Sequence, residues 1–264
     1  MIKKVSIMRY RDDKLISEND MVCIEEFYSI YLNNIKIGST SSSPNNLKEL
    51  GVGYAVSEGY LKDFNVSVLV EDNKIIINNN IKNNKKNNKI KNKSSNTDKI
   101  NKINNNTTNI NNNNSSNFKN DKNIDNKNTH KINIKTILKI SKLMDKKGKI
   151  WNITGGTHWA GICDLNGDEI ISFEDIGRHN ALDKVIGYCV LNNISLSDKI
   201  LVLSCRMPYN IVKKCINADI KYILSKSPTT DKGLSLAKKH KLLMIGFLRK
   251  DRFIVYSGED KICE

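Results

Sequence analysis

The chain has 264 residues, a formal net charge of +15 at neutral pH and 39% hydrophobic residues. Much of that charge is local, because Asn73 to His130 holds 24 Asn and 12 Lys against three acids (Asp98, Asp121, Asp125) in 58 positions and so carries +9 of it. The other 206 residues have 31 basic and 25 acidic side chains, a balance that demands no specific nucleic-acid partner in a chain long enough to bury one large or two small cores.

The start, MIKKVSIMRYRDDK, has neither a hydrophobic signal segment nor a small-residue cleavage site. The longest apolar runs, such as LLMIGFL from Leu242 to Leu248, fall far short of the roughly 20 residues of a membrane span. The expectation is a cytoplasmic protein with no membrane partner.

In chain order, MVCIEEFYSIYLNNIKIGS alternates apolar and polar residues about Asn33-Asn34, which predicts a hairpin, and a helix is predicted from Pro44 through LKELGVGYAVSEGYL. These form a smaller α+β part over residues 1–72. The Asn/Lys-rich tract, 73–130, offers little apolar area to offset chain entropy and is predicted to be a disordered low-complexity insertion. A surface loop tolerates such length, since each doubling costs only about 0.6 kcal/mol, and its composition reads as drift under AT-rich codons rather than as a built tether.

Residues 131–264 then alternate. INIKTILKISKLMDKKG predicts a helix presenting Ile134, Ile137, Leu138 and Met144, with Gly148 as its C-cap. WNITGG, AGICD and EIISFEDIG read as strands, the last two about an Asn166-Gly167 turn. ALDKVIGYCVL reads as a helix, KILVLS as a strand, Pro208 to Ala218 as a helix, KYILSKS as a strand, LSLAKKHK as a helix, and LLMIGFL and RFIVYS as closing strands. That order is the signature of an α/β domain with a largely parallel centre and helical crossovers.

Cysteines at 23, 163, 189, 205, 215 and 263 include no C-x-x-C pair, so free thiols are expected and a metal site is not. Cys163, Cys189 and Cys215 sit among apolar neighbours as small hydrophobes. Cys205 differs, because it follows a strand and precedes Arg206, a cation able to stabilise a thiolate.

Ligands of open α/β sheets gather at the carboxyl ends of strands. Those ends supply Gly155, Gly156 and His158, then Arg178-His179-Asn180, Ser204-Cys205-Arg206, and Gly246 through Arg249. Asn180 suits an N-cap with Asp183 three residues on, so a cationic pair beside a helix N-terminus would form a phosphate or pyrophosphate site. The alternative is that Arg178 and His179 pair with Asp175 or Glu174. Thr154-Gly155-Gly156 also reads as a tight turn, His158 as a hydrogen-bonded structural residue, and Lys213-Lys214 as a solvated helix face.

TGGTHWAGICD, EDIGRHNALDKVIG, LSCRMPYNIVKKC and SKSPTTDKGLSLAKKHKLLMIGFLRKDRFIVYS, with weaker IEEFYSIYLNN and ELGVGYAVSEGYL, resemble the ordered signature blocks of the FdhD/NarQ family of formate dehydrogenase accessory sulfurtransferases. The resemblance implies a sulfur carrier that takes sulfur from a cysteine desulfurase as a persulfide and passes it to the molybdenum or tungsten bis-molybdopterin guanine dinucleotide cofactor before insertion into the formate dehydrogenase catalytic subunit. It implies a cytidine deaminase-like C-terminal domain, and leaves a homodimer open. Its cofactor-binding stretch falls on Phe247, Leu248, Arg249, Lys250, Asp251 and Arg252. No zinc deaminase activity follows, as H-x-E and P-C-x-x-C are both missing. The family's persulfide cysteine lies in a C-G-x-C-G-like motif before the TGG block, where this chain has the cysteine-free tract, so the catalytic residue does not carry over. Cys205, standing where the family reads S-G-R, is the replacement candidate, and a cofactor-binding chaperone without a persulfide is the alternative function.

Overall fold

The computed structural model describes residues 1–62, 64–79 and 130–264; the predicted disorder of the insertion falls outside the described residues from 80 to 129. Two long strands, β1 (Ile2–Arg11) and β2 (Lys14–Cys23), open the chain as an antiparallel hairpin. Then come β3 (Glu26–Leu32), β4 (Ile35–Ser42), helix α1 (Leu47–Ser57), β5 (Val66–Glu71) and β6 (Lys74–Asn79). These last four strands form one sheet in the order β4-β3-β6-β5. Each of the three hairpin turns, Asp12-Asp13, Asn33-Asn34 and Asp72-Asn73, has both residues at positive φ. That is the conformation whose twist matches paired strands, and Asn and Asp tolerate it.

The hairpin at Asn33-Asn34 and the helix α1 follow the sequence reading. β1, β2, β5 and β6 do not. β6 also lies inside the span assigned to the low-complexity tract, with Ile75 and Ile77 fully buried against α1, so the Asn-rich composition masked a core strand.

Past the tract, a short β7 (Ile132–Asn133) leads into α2 (Ile134–Met144), whose first turn is capped by the Asn133 side chain. Ile137, Ile140 and Met144 form its buried face. α3 (Lys149–Thr154) corrects the strand predicted over WNITGG. Its cause lies outside the segment, because Glu174 accepts from the amides of both Ile150 and Trp151 at 3.0 Å and so satisfies the helix start. Gly148, at φ +82°, is the N-cap of α3 rather than the C-cap of α2.

The remaining elements are β8 (His158–Cys163), β9 (Glu169–Asp175), α4 (Arg178–Leu191), β10 (Ile200–Leu203), α5 (Tyr209–Asn217), β11 (Tyr222–Ser225), α6 (Asp231–Lys239), β12 (Leu243–Gly246), β13 (Ile254–Ser257) and β14 (Ile262–Cys263), the last pairing with β7. A six-stranded sheet runs β13-β12-β11-β10-β8-β9. Only β10, β11 and β12 are parallel; β8, β9 and β13 run antiparallel to their neighbours, which narrows the predicted parallel centre to three strands. Alternate residues of β10 face opposite cores. Leu201 and Leu203 pack with α4 and α5, and Ile200 and Val202 with α2.

The N-terminal elements join the larger sheet through α1 and α4. A Cβ at Gly53 would stand 1.7 Å from the Asp183 carbonyl, and one at Gly187 1.9 Å from that of Glu49. Only glycine permits helices to approach this closely.

Candidate functional site

Because β8 is antiparallel to both β9 and β10, its first residue lies at the sheet edge where those strands end. His158, Arg178 and Arg206 therefore meet at one edge. The His158 Nδ1 lies 3.5 Å from the Ser204 Oγ, which also receives the Trp159 amide at 3.0 Å. Burial pushes the His158 imidazole below its ordinary pKa, and Arg178 and Arg206 push it further. His179 is pushed down to about 4 by burial and then by Arg178, Lys214 and His158, with Glu58 opposing. Both imidazoles are neutral at pH 7.

Neither Arg178 nor Arg206 has an ion-pair partner among the described residues. The carboxylates that the sequence offered to Arg178 are engaged elsewhere. Glu174 caps α3 and accepts from Thr157 at 2.8 Å. Asp175, fully buried, binds Lys184 at 2.6 Å, Ser42 at 2.7 Å and the Gly177 amide at 2.8 Å. α4 starts with no side-chain cap and no acid in its first turn, so its leading amides and dipole add to the positive field.

Asn180 corrects the predicted N-cap, a position held by Gly177. Its amide instead donates to the Ser41 carbonyl at 2.6 Å and to Asp175 at 3.0 Å, while its oxygen accepts from Thr40 at 2.8 Å. Asp183 is likewise no capping-box residue. It is buried on the inner face of α4, where it accepts from Lys214 at 2.9 Å and Ser57 at 2.7 Å. Lys214 corrects the solvated-face reading: it is buried, paired also with Glu58 at 2.8 Å and placed 5.1 Å from the Tyr54 ring centroid. Lys213 is exposed.

The stretch after β12 reaches the same edge, since β12 runs parallel to β11 and β10. Phe247 takes φ +48°, rare for an aromatic residue. Leu248 is fully buried, and the amide of Arg249 donates to the Arg252 carbonyl at 2.8 Å, closing a turn that exposes Lys250 and Asp251. Phe247, Arg249 and Arg252 line a cavity of 220 Å³. The Arg249 guanidinium donates to the Lys226 carbonyl at 2.8 Å, and Ser227 to that of Ser204 at 2.9 Å, which ties this stretch to the end of β10.

Cys205 lies beneath that end. Burial pushes its thiol up to about 11 against the pull of Arg178 and Arg206, so at neutral pH it is a thiol. Cys163, Cys189 and Cys215 are buried with raised thiols, as small core hydrophobes should be. Gly155, at φ +68°, ends α3. At Gly156, a Cβ would stand 2.9 Å from the Cys23 Sγ. Cys23 is half-buried and 3.1 Å from the Thr154 hydroxyl. Its approach to the glycine loop, from 131 positions away, had no signal in the sequence.

This edge gathers guanidiniums without ion-pair partners among the described residues, neutral imidazoles and helix amides, a set of donors whose chemistry suits an anion. No group of three or more potential metal ligands occurs among the described residues, and none of their helices is long and apolar enough to cross a membrane.

The FdhD/NarQ family model matches residues 23–263. Protein FdhD of Methanocaldococcus jannaschii is 42% identical over 258 residues, 98% of this chain and 97% of that protein. The sulfur carrier protein FdhD of Bacillus pumilus is 29% identical over 263 residues, 99% of this chain and 98% of its own length. Among solved structures, a chain from Desulfotalea psychrophila described as a formate dehydrogenase accessory protein shares the fold with a TM-score of 0.74 over 99% of each chain, at 22% identity. With a family match spanning nearly its whole length and a relative at 42% identity, this chain belongs to the FdhD/NarQ family.

Proposed function

We propose that the chain is a sulfur carrier for formate dehydrogenase maturation. Its cargo is the molybdenum or tungsten bis-molybdopterin guanine dinucleotide cofactor, its sulfur donor a cysteine desulfurase, and its client the formate dehydrogenase catalytic subunit, all in the cytoplasm. Residues 131–264 are read as the cytidine deaminase-like domain that carries the cargo. The observation that supports this most is the pair of guanidiniums, Arg178 and Arg206, with no ion-pair partner among the described residues, beside two neutral imidazoles at a helix start without a side-chain cap. Such a set fits the pyrophosphates of that cargo, because each phosphate oxygen gains a charge-assisted donor with no carboxylate to displace. Phe247 to Arg252 and the turn at Gly155-Gly156 frame the same edge.

A second reading, a cofactor-delivering chaperone that forms no persulfide, draws support from Cys205, whose burial holds it as a thiol. Complementation of a formate dehydrogenase maturation mutant, scored for both enzyme activity and cofactor sulfuration, separates the two. The carrier reading expects both to return; activity without sulfuration decides for the chaperone, and neither returning defeats both. Mass spectrometry after incubation with a desulfurase and labelled cysteine locates any persulfide, and an unmodified Cys205 removes it as the candidate.

A further inference from the structure

A cavity of 280 Å³ opens where β4, α1, α4 and α5 converge, and neither arginine of the proposed phosphate site lines it. Drug-sized ligands occupy sites of roughly 300–1,000 Å³, so this one suits a small metabolite rather than a dinucleotide. The Tyr54 side chain reaches it from α1. Its hydroxyl lies against β4 only because residue 38 is glycine, where a Cβ would stand 2.3 Å from that oxygen.

The charged groups of this cavity do not cancel pairwise. Lys214 holds two carboxylates at once, Asp183 at 2.9 Å and Glu58 at 2.8 Å. One ammonium between two carboxylates leaves a negative charge over, and it falls on Glu58. Asp183 engages Lys214 through both oxygens and accepts from Ser57 as well. Glu58 is held through one oxygen, its side chain is 32% exposed, and its second oxygen accepts no hydrogen bond from the described residues. Lys213, the preceding residue on α5, also lines the cavity, and its exposed ammonium has no ion-pair partner among the described residues. The titratable neighbours add no charge: His179 is neutral at pH 7, and burial, then Glu58, raises the Tyr54 phenol so that it keeps its proton. A simple anion meets repulsion from Glu58 and Asp183, and a simple cation from Lys213 and Lys214. A molecule carrying both signs satisfies both free groups.

We infer that this cavity binds a small free α-amino acid, with Glu58 and the Tyr54 hydroxyl accepting from its α-ammonium while Lys213 and the Asn210 amide donate to its α-carboxylate. The site is independent of the phosphate edge, since Arg178 and Arg206 lie outside it. It also gives Lys213 a purpose that a solvated surface charge lacks.

Isothermal titration of the full chain with L-alanine, L-alaninamide and L-lactate tests it, because the three share a shape and the last two each lack one charge. L-alanine should bind about tenfold or more tighter than either analogue, as each leaves one charged contact unmade. Lys213→Met should bring L-alanine down to the alaninamide level with an unchanged unfolding midpoint. Glu58→Gln should bring it down to the lactate level, and Tyr54→Phe, which keeps the ring beside Lys214, should weaken it about tenfold; the second variant carries the test where the first shifts the unfolding midpoint. Saturating inorganic pyrophosphate should leave L-alanine affinity unchanged. No binding of L-alanine, equal affinities for the three compounds, or discrimination that survives Lys213→Met overturns the amino-acid site and leaves the phosphate reading untouched. Displacement of L-alanine by pyrophosphate overturns it as a separate site. L-alanine binding by a chain that takes up no pyrophosphate upholds it and removes the phosphate reading instead.

Discussion

Two cations of α4 stand six residues apart and meet opposite fates. Lys184 is fully buried and holds Asp175 at 2.6 Å, the Asn45 side chain at 2.9 Å and the Ser43 carbonyl at 3.3 Å. Arg178, at the first position of the same helix, holds no carboxylate among the described residues. The paired cation fastens the β4–α1 connection to α4 and is architecture. The unpaired one sits where Arg206 and the helix amides repel it, an arrangement that persists only because the surrounding fold fixes it and that an arriving anion would relieve. Charge in this protein is therefore informative by what it lacks.

The largest expected effect breaks the architectural side. Asp175→Ala would leave Lys184 buried without its counter-charge and would also remove the acceptor of Ser42, Gly177 and Asn180. A loss of about 3–5 kcal/mol in urea unfolding is expected. A loss below about 1 kcal/mol would mean that water reaches Lys184, and the contrast with Arg178 would weaken.

The converse variant acts on the unpaired side. Arg178→Ala with Arg206→Ala should lower pyrophosphate affinity about 100-fold, or about 2.7 kcal/mol, as two charge-assisted contacts are lost. Stability should move by no more than about 0.5 kcal/mol, and relief of repulsion could raise it. An unfolding midpoint that falls steeply would show that the two guanidiniums are structural after all.

Acid separates the regions again. His179 has a folded pKa of about 4 against an ordinary 6.5, so below pH 6.5 the unfolded chain binds the extra proton. Stability conferred by the neutral imidazole is thus present above pH 6.5 and is lost as pH falls toward 4, by on the order of 2 kcal/mol after allowance for partial exposure. His179→Gln should flatten that part of the stability–pH curve. A curve that keeps its slope would assign the acid limb to other groups.

The contrast also explains what could be read from sequence. The Asn33-Asn34 hairpin and the β10 to β12 crossover pattern are local, and the Asn pair, Pro208 and the apolar tetrads mark them directly. The place of Arg178 and His158 at the strand-end edge was legible because strand ends are. Lys214 was not, since its burial depends on Asp183 and Glu58, which are distant in sequence. α3 was misread for the same kind of reason: WNITGG is β-branched and aromatic locally, and only Glu174 from β9 supplies the partners that make it helical. β1 and β2 lacked an alternating apolar face because charge fills it, with Arg9 bonded to both Glu18 and Asp20.

The neighbours Lys213 and Lys214 test the contrast at its finest grain. They share a helix, a charge and a side chain, and differ only in which way α5 turns them. Burial alone would push Lys214 down, but Asp183 and Glu58 outweigh it and hold its ammonium above the ordinary value. Burial holds Asp183 above the ordinary carboxyl range, against the pull of Lys214. Lys214→Met would leave that carboxylate without its counter-charge and should cost several kcal/mol. Lys213→Met removes an exposed ammonium with no ion-pair partner among the described residues and should change stability by less than about 0.5 kcal/mol. Urea unfolding of the two variants, run side by side, gives the difference directly. Equal losses would mean that helix position rather than the carboxylate pair sets the cost, and the distinction between cations that build the fold and cations that await a ligand would have to be redrawn.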